Sequence, residues 1–181
     1  MSIENPNAIG DSAGNPNNDG TITAVSEGEL LQLVSFVVGD EEFAVPILSV
    51  QEINRMMQIT RVPQSPEYVE GVINLRGKII PVIDLRKRFS MGELKDSSDA
   101  RIIVVEVANR VIGFTVDRVN EVLRISSDIV DPPPSICSSI STDYIQGVGK
   151  LNDRLLIMLN LEKLFADYDM DELEQVTKNA A

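Results

Sequence analysis

The 181-residue sequence has no histidine, no tryptophan and one cysteine, and aromatic residues make up only 4% of it. The missing histidine removes the commonest general base and metal ligand. Cys137 therefore has no histidine to activate it, lies in a Ser/Pro-rich stretch, and has no second cysteine for an intramolecular disulfide; a reducing compartment is expected. No Gly-rich phosphate loop is present, since Gly71 and Gly77 are not followed by the Lys-Ser/Thr ending such loops require. Carboxylates on apolar stretches, such as Glu52 and Glu121, occur singly, and nothing pairs them for hydrolytic chemistry. No apolar run approaches the roughly 20 residues that span a bilayer, and the N-terminus is Asn- and Gly-rich, without a charged start and apolar block. A soluble, intracellular, non-catalytic protein without a cofactor is expected. Function should then reside in surfaces, sheet edges or grooves.

Charge is unevenly placed. Of the net −12, residues 1–29 carry five acids and no Lys or Arg, and residues 166–181 carry five acids against Lys178, which leaves −3 for residues 30–165. The tails are therefore solvated acidic segments. An acidic chain also lacks the basic footprint needed to neutralise phosphates, so no nucleic-acid partner is expected. With few aromatics, the core must be built from Val, Ile and Leu, and 43% apolar residues suffice for it.

The chain is internally duplicated. Residues 68–89, YVEGVINLRGKIIPVIDLRKRF, return as 144–165, YIQGVGKLNDRLLIMLNLEKLF, at an offset of 144 − 68 = 76 that matches Tyr68 with Tyr144, Gly71 with Gly147 and Phe89 with Phe165. A second pair lies at an offset of 119 − 50 = 69, where Val50, Glu52 and Ile53 meet Val119, Glu121 and Val122. A period of about 70 residues suits two small domains or two halves of one.

Local signals give each half a set of short strands. Leu31–Val38, the turn Gly39-Asp40 and Phe43–Val45 form a hairpin, echoed by Ile102–Val107, Ala108-Asn109 and Val111–Val116. A strand is expected over Val50–Ile59, then Val69–Leu75, a turn at Arg76-Gly77, Ile79–Ile83, and a helical turn from Asp84 to Phe89 with Asp84 as N-cap and Asn160 as its counterpart. The second copy closes with Tyr144–Leu151, a turn at Asn152-Asp153, Leu155–Leu159 and a turn to Phe165. Ser126–Asp143, with three consecutive prolines, reads as a long loop, and an acidic amphipathic helix is allowed over Asp167–Val176. The expected fold is all-β: two five-stranded SH3-like antiparallel barrels with short helical turns. The expected boundaries are a disordered arm over 1–29, a first barrel over 30–90, a linker over 91–100, a second barrel over 101–166 and an acidic tail over 167–181, with 30–166 as one domain.

Gly71-Val72-Ile73-Asn74-Leu75-Arg76-Gly77-Lys78-Ile79-Ile80-Pro81-Val82-Ile83-Asp84-Leu85-Arg86 resembles the signature of the bacterial chemotaxis coupling proteins, the CheW family, and the resemblance extends over residues 30–165. It implies a non-enzymatic adaptor of two SH3-like barrels packed around a hydrophobic core. Such an adaptor links the histidine kinase CheA to the cytoplasmic tips of methyl-accepting chemoreceptors in signalling arrays, on the inner face of the membrane and without inserting into it. It is monomeric on its own. By the same resemblance Val50, Glu52, Ile53 and Gly71 fall to the kinase contact, and Arg76, Val119 and Val122 to the receptor contact.

Each of these residues also has a plainer reading. Arg76 is replaced by Asn152 in the second copy, so the turn does not demand arginine; a planar cation there suits carboxylate or carbonyl groups of a helical tip, and the alternative is an ordinary solvated turn. Gly71 and Gly147 recur together, which favours a backbone requirement. Val50, Val119 and Val122 suit core or interface, Glu52 suits an exposed role, and Met56 and Met57 suit an adaptable surface or gap-filling. Two rival functions stay open: the same scaffold in a pilus-linked or surface-sensing pathway, and a small-molecule-binding barrel.

Overall fold

The structure, a computed structural model, describes residues 28–92, 97–134 and 142–166, together with Asp171, Gln175, Thr177 and Lys178. The expected disordered arm, except Gly28 and Glu29, lies outside the described residues, as do Cys137 and most of the acidic tail. The four described tail positions are helical.

Eleven strands are described: β1 (Leu30–Val38), β2 (Glu41–Pro46), β3 (Val50–Arg55), β4 (Val69–Leu75), β5 (Lys78–Asp84), β6 (Arg101–Val107), β7 (Arg110–Val116), β8 (Arg118–Ser126), β9 (Val130–Asp131), β10 (Ile145–Lys150) and β11 (Leu155–Leu159). Two short helices, α1 (Leu85–Arg88) and α2 (Leu161–Ala166), follow β5 and β11. The caps fall where the sequence puts them. The Asp84 carboxylate accepts from the amides of Arg86 and Lys87, and Asn160 accepts from the amide of Lys163 at 3.0 Å, so each helix start has an orphan donor satisfied. The tight turns use left-handed backbone: Arg76 and Gly77 have φ of 53° and 83°, and Ala108 and Asn109 have φ of 50° and 62°, which matches the twist of the flanking strands.

The strands form two sheets, in the orders β8-β1-β2-β11-β10-β9 and β3-β6-β7-β5-β4. These sheets are not the expected sequence halves, and the boundaries 30–90 and 101–166 are corrected accordingly. Barrel B, the second sheet, uses β3 to β7 in one continuous run from Val50 to Val116, and barrel A takes β1 and β2 from before that run and β8 to β11 from after it. The reason lies in pairing. In each barrel the opening hairpin of one repeat joins the closing hairpin of the other through a parallel contact, Ile157 to Phe43 in barrel A and Val82 to Gly113 in barrel B. The other pairings in both sheets are antiparallel. Residues 91–100 consequently connect elements of one barrel instead of joining two.

Both barrels close in the same way. The chain beyond β3 turns so that Thr60 bridges Val72 of β4, and the chain beyond β8 turns so that β9 pairs with β10. This bend ends the strand expected over Val50–Ile59 at Arg55, and it points Met57 and Ile59 into the barrel B interior with Ile73, Val82 and Ile102. Met56 stays exposed. The interiors of the barrels are small clusters, around Leu33, Ile125 and Leu156 in barrel A. The main core lies between the barrels and holds all five phenylalanines of the chain, Phe36, Phe43, Phe89, Phe114 and Phe165, with the Phe36 ring centroid 6.1 Å from that of Phe43 and 5.5 Å from that of Phe114.

Candidate functional site

β3 and β8 each end one of the two sheets and are hydrogen-bonded along one side only; β4 and β9 end the sheets on the other side. Unpaired edges invite other chains, and bulges are a common way to limit this. Both edges carry a bulge at the equivalent place: β3 shifts register against β6 between Val50 and Glu52, and β8 shifts against β1 opposite the interval from Val34 to Phe36. Val50 and Val119 precede the bulges and pack, half-buried, on the inter-barrel core. Past the bulges Ile53 and Val122 turn outward, 41% and 55% exposed. The duplicated apolar residues thus separate into a core-facing pair, Val50 and Val119, and a solvent-facing pair, Ile53 and Val122.

A charged network lies along each edge. On barrel B the Gln51 amide donates to Glu106 at 2.7 Å, and Glu52 accepts from Asn54 at 2.8 Å and pairs with Arg76 at 2.9 Å. These partners hold the Glu52 carboxyl below its ordinary range, the Asn54 hydrogen bond most and the Arg76 charge next. On barrel A the Asn120 amide donates to Glu42 at 3.0 Å, and Arg154 pairs with Glu121 at 2.7 Å and Glu42 at 3.4 Å. The hydrogen bond to Glu121, followed by the charge of Glu42, raises the Arg154 pKa. Arg76 and Arg154 both come from the turn of a closing hairpin. Each reaches the glutamate of its own barrel's edge strand.

Arg76 and Glu52, assigned to different partners by the resemblance, are therefore one ion pair on one edge. Sequence reasoning missed Arg154 because the repeat aligns Arg76 with Asn152; the second copy, in barrel A, supplies its arginine two positions later. Gly71 is buried in β4 with φ of 152°, and a Cβ there would lie 2.3 Å from the Thr60 carbonyl oxygen. Gly147 has the same task beneath β9, where a Cβ would lie 2.6 Å from the Val130 side chain. Both glycines admit the strand that closes the barrel.

The barrels are also joined by charge. Arg86 on α1 forms a two-nitrogen ion pair with Asp117, its Nε at 2.8 Å, and Asp117 also accepts from the Gly39 amide at 2.9 Å. Hydrogen bonding to Asp117 raises the Arg86 pKa. Arg88 lies over the Tyr144 ring at 4.7 Å and the duplicated Tyr68 ring at 5.8 Å. Beside the Arg86 and Asp117 pair runs an open groove of about 1050 Å³ on the face of barrel A, lined by Val37, Arg118, Arg154, Leu155 and Ile157 and, at its rim, by Asp99 at the approach to β6. Among the described residues no helix is long and apolar enough to cross a membrane.

This arrangement defines a class: a duplicated double-barrel β protein whose distinctive chemistry lies on two charged, bulged edges and the groove on the face of barrel A. The chain belongs to the CheW-like domain family, whose profile matches residues 32–169. It is 42% identical over 136 residues to a chemotaxis protein CheW of Helicobacter pylori, covering 75% of this chain and 82% of that one. Against the chemotaxis protein CheW of Klebsiella aerogenes it is 36% identical over 148 residues, covering 82% and 89%. The crystal structure of the scaffolding protein TtCheW from Thermoanaerobacter tengcongensis superposes with a TM-score of 0.71 at 41% identity, covering 76% of this chain and 88% of that one.

Proposed function

We propose that this protein couples a CheA-type histidine kinase to the cytoplasmic tips of methyl-accepting chemoreceptors, as a cytoplasmic adaptor that performs no chemistry of its own. The observation that carries this reading is the pair of separate edges, one per barrel, on a chain of the chemotaxis CheW family. An adaptor needs two sites that can be occupied together, because holding two partners at once raises their effective concentration and fixes their geometry. On this reading the β3 edge, with Val50, Glu52 and Ile53, faces the kinase, and Gly71 shapes that barrel from within. The β8 side, with Val119 and Val122, and the adjoining groove take the helical receptor tip. Binding then biases the populated conformations of the kinase.

The test is autophosphorylation of the kinase with receptor-containing membranes, with and without this protein and with Arg76→Ala. Receptor-controlled activity should rise with the native protein and fail to rise with the variant. No change across several kinase and receptor pairs would move the scaffold to another signalling pathway, such as a pilus-linked one, which the neighbouring genes would identify. A ligand-dependent stability shift in the absence of kinase and receptor would favour a small-molecule-binding barrel.

A further inference from the structure

We propose that the joint between the barrels is a one-sided hinge, braced at the corner beside α1 and open at the corner beside α2. The internal repeat makes the two corners directly comparable. At the offset of 69, Leu48 stands in the place of Asp117 and Ala108 in that of Gly39; at the offset of 76, Glu162 stands in the place of Arg86. Each trio joins a link between the barrels, a hairpin turn and the first turn of a helix. Gly39 and Ala108 share left-handed backbone, with φ of 65° and 50°.

The side chains at the two corners differ. Asp117 accepts from the Arg86 guanidinium and the Gly39 amide, and the side chains of Arg86 and Asp117 are each 17% exposed. Pulling this corner apart leaves two half-buried charges unpaired, which a planar two-nitrogen fork resists. Arg88 of the same helix also crosses the joint, lying over Tyr68 before β4 and Tyr144 before β10. At the other corner Leu48 is 97% exposed and Glu162 is exposed. A cleft of about 270 Å³ opens there, lined among the described residues by Ser49, Ala108, Gln146 and two glutamates, Glu106 and Glu162, and by no lysine or arginine. α2 is held by its buried Leu161, Leu164 and Phe165, and non-directional apolar contact lets packed elements slide. The joint therefore pivots at Asp117 and opens at Leu48. The turn that carries Leu48, Ile47–Ser49, runs directly into β3, so opening shifts the β3 edge relative to β8. The use of this motion in signalling rests on the coupling function proposed above, whereas the hinge itself does not.

Hydrogen exchange of the full-length protein, resolved by segment, tests the hinge. Amides of residues 47–50 and 161–166 should exchange faster than those of 85–89 and 116–118. Leu48→Asp combined with Glu162→Arg copies the brace into the open corner and should slow exchange at 47–50 and 161–166 about threefold or more, which neither substitution alone should do. Leu48→Arg offers native Glu162 a cation, leaves α2 untouched and should slow the same amides, so the test survives a double variant that folds poorly. Asp117→Asn weakens the native brace and should speed exchange at 85–89 and 116–118. Equal exchange at the two corners of the native protein would overturn the hinge, as would unchanged exchange at 47–50 and 161–166 in both the double variant and Leu48→Arg. With the kinase and receptor-containing membranes, the braced double variant should bind both partners as the native protein does and give a smaller receptor-dependent change in autophosphorylation. Undiminished control by a variant with slowed exchange would overturn the role of the hinge in signalling. If the native protein confers no control at all, the coupling function fails, and the exchange pattern still decides the hinge.

Discussion

At the scale of single residues, the closing-turn arginines show how one ion pair can be weak for folding and decisive for contact. The Arg76 side chain is 79% exposed, and exposed ion pairs contribute little because solvent screens them and ordering two long side chains costs entropy. Arg76→Ala should therefore leave Tm almost unchanged while receptor-controlled kinase activity falls; a large drop in Tm would make the residue structural. Asp84 presents the opposite case. It is buried, and burial raises its pKa above the ordinary aspartate value despite the Lys87 and Arg86 amides that cap against it. A carboxyl whose folded pKa is raised contributes stability that is complete below its unfolded pKa, near 3.9, and lost as pH rises through the folded value. Asp84→Asn keeps a cap acceptor and cannot ionise, so its stability relative to the native protein should improve between acid and neutral pH. Asp84→Ala loses the cap and should cost about 1 kcal/mol or more at both. Urea titrations of the three proteins at two pH values, one below the aspartate range, would check this; a difference moving the other way would contradict it.

At the scale of elements, the closing bends make a graded prediction about glycines. A methyl group at Gly71 meets main chain at 2.3 Å, and main chain held in a bridge cannot step aside. Gly71→Ala should destabilise by about 3 kcal/mol or more, the range in which backbone clashes fall. At Gly147 a Val130 methyl is the nearest atom, at 2.6 Å, and the Asp131 carbonyl oxygen follows at 3.0 Å, so main chain is met less closely than at Gly71 and Gly147→Ala should be intermediate. Gly77 has φ of 83° with nothing within 4 Å of a new Cβ, so Gly77→Ala should show only left-handed strain, about 1 kcal/mol. Thermal melts of the three variants rank them, and a Gly77 variant as unstable as the Gly71 one would break the argument. Much at this scale was legible in the sequence. β-branched runs, turn pairs and the Asp84 and Asn160 caps are local signals, and Leu155–Leu159 and Val69–Leu75 fall where the pattern puts them. β8 was not legible, because Arg118, Asn120, Glu121 and Arg124 interrupt its apolar residues, so its half-exposed edge lacks the alternation that marks a strand. Arg154 escaped for a related reason: the repeat aligns main chain, and a side chain as long as arginine can reach the same glutamate from two residues away.

At the scale of the whole molecule, the sequence repeat and the folded barrel prove to be different units. Duplication is visible in the order of residues, but the parallel contacts between β2 and β11 and between β5 and β7 join strands of different copies, and no local pattern reports them. Barrel B is continuous from Val50 to Val116 and so looks excisable. Its energetics argue otherwise. Its own interior is a small cluster of aliphatic side chains, whereas Val69, Ile83, Phe89, Ile103, Val105 and Phe114 face the core shared with barrel A. Released alone, the segment would expose those side chains to water, each losing on the order of 1.5–3 kcal/mol of burial, against a total stability for a small domain of only about 5–15 kcal/mol. A fragment spanning barrel B should therefore be unfolded or aggregated, and the intact chain should melt in one transition. Phe114→Ala, which removes a ring shared by both barrels, should cost about 3–5 kcal/mol and lower protection from hydrogen exchange in both sheets together. Hydrogen exchange resolved by strand measures this directly. Barrel A amides that keep native protection while those of barrel B lose it would mean that the barrels fold separately, and an adaptor so built could not hold its two edges at a fixed angle.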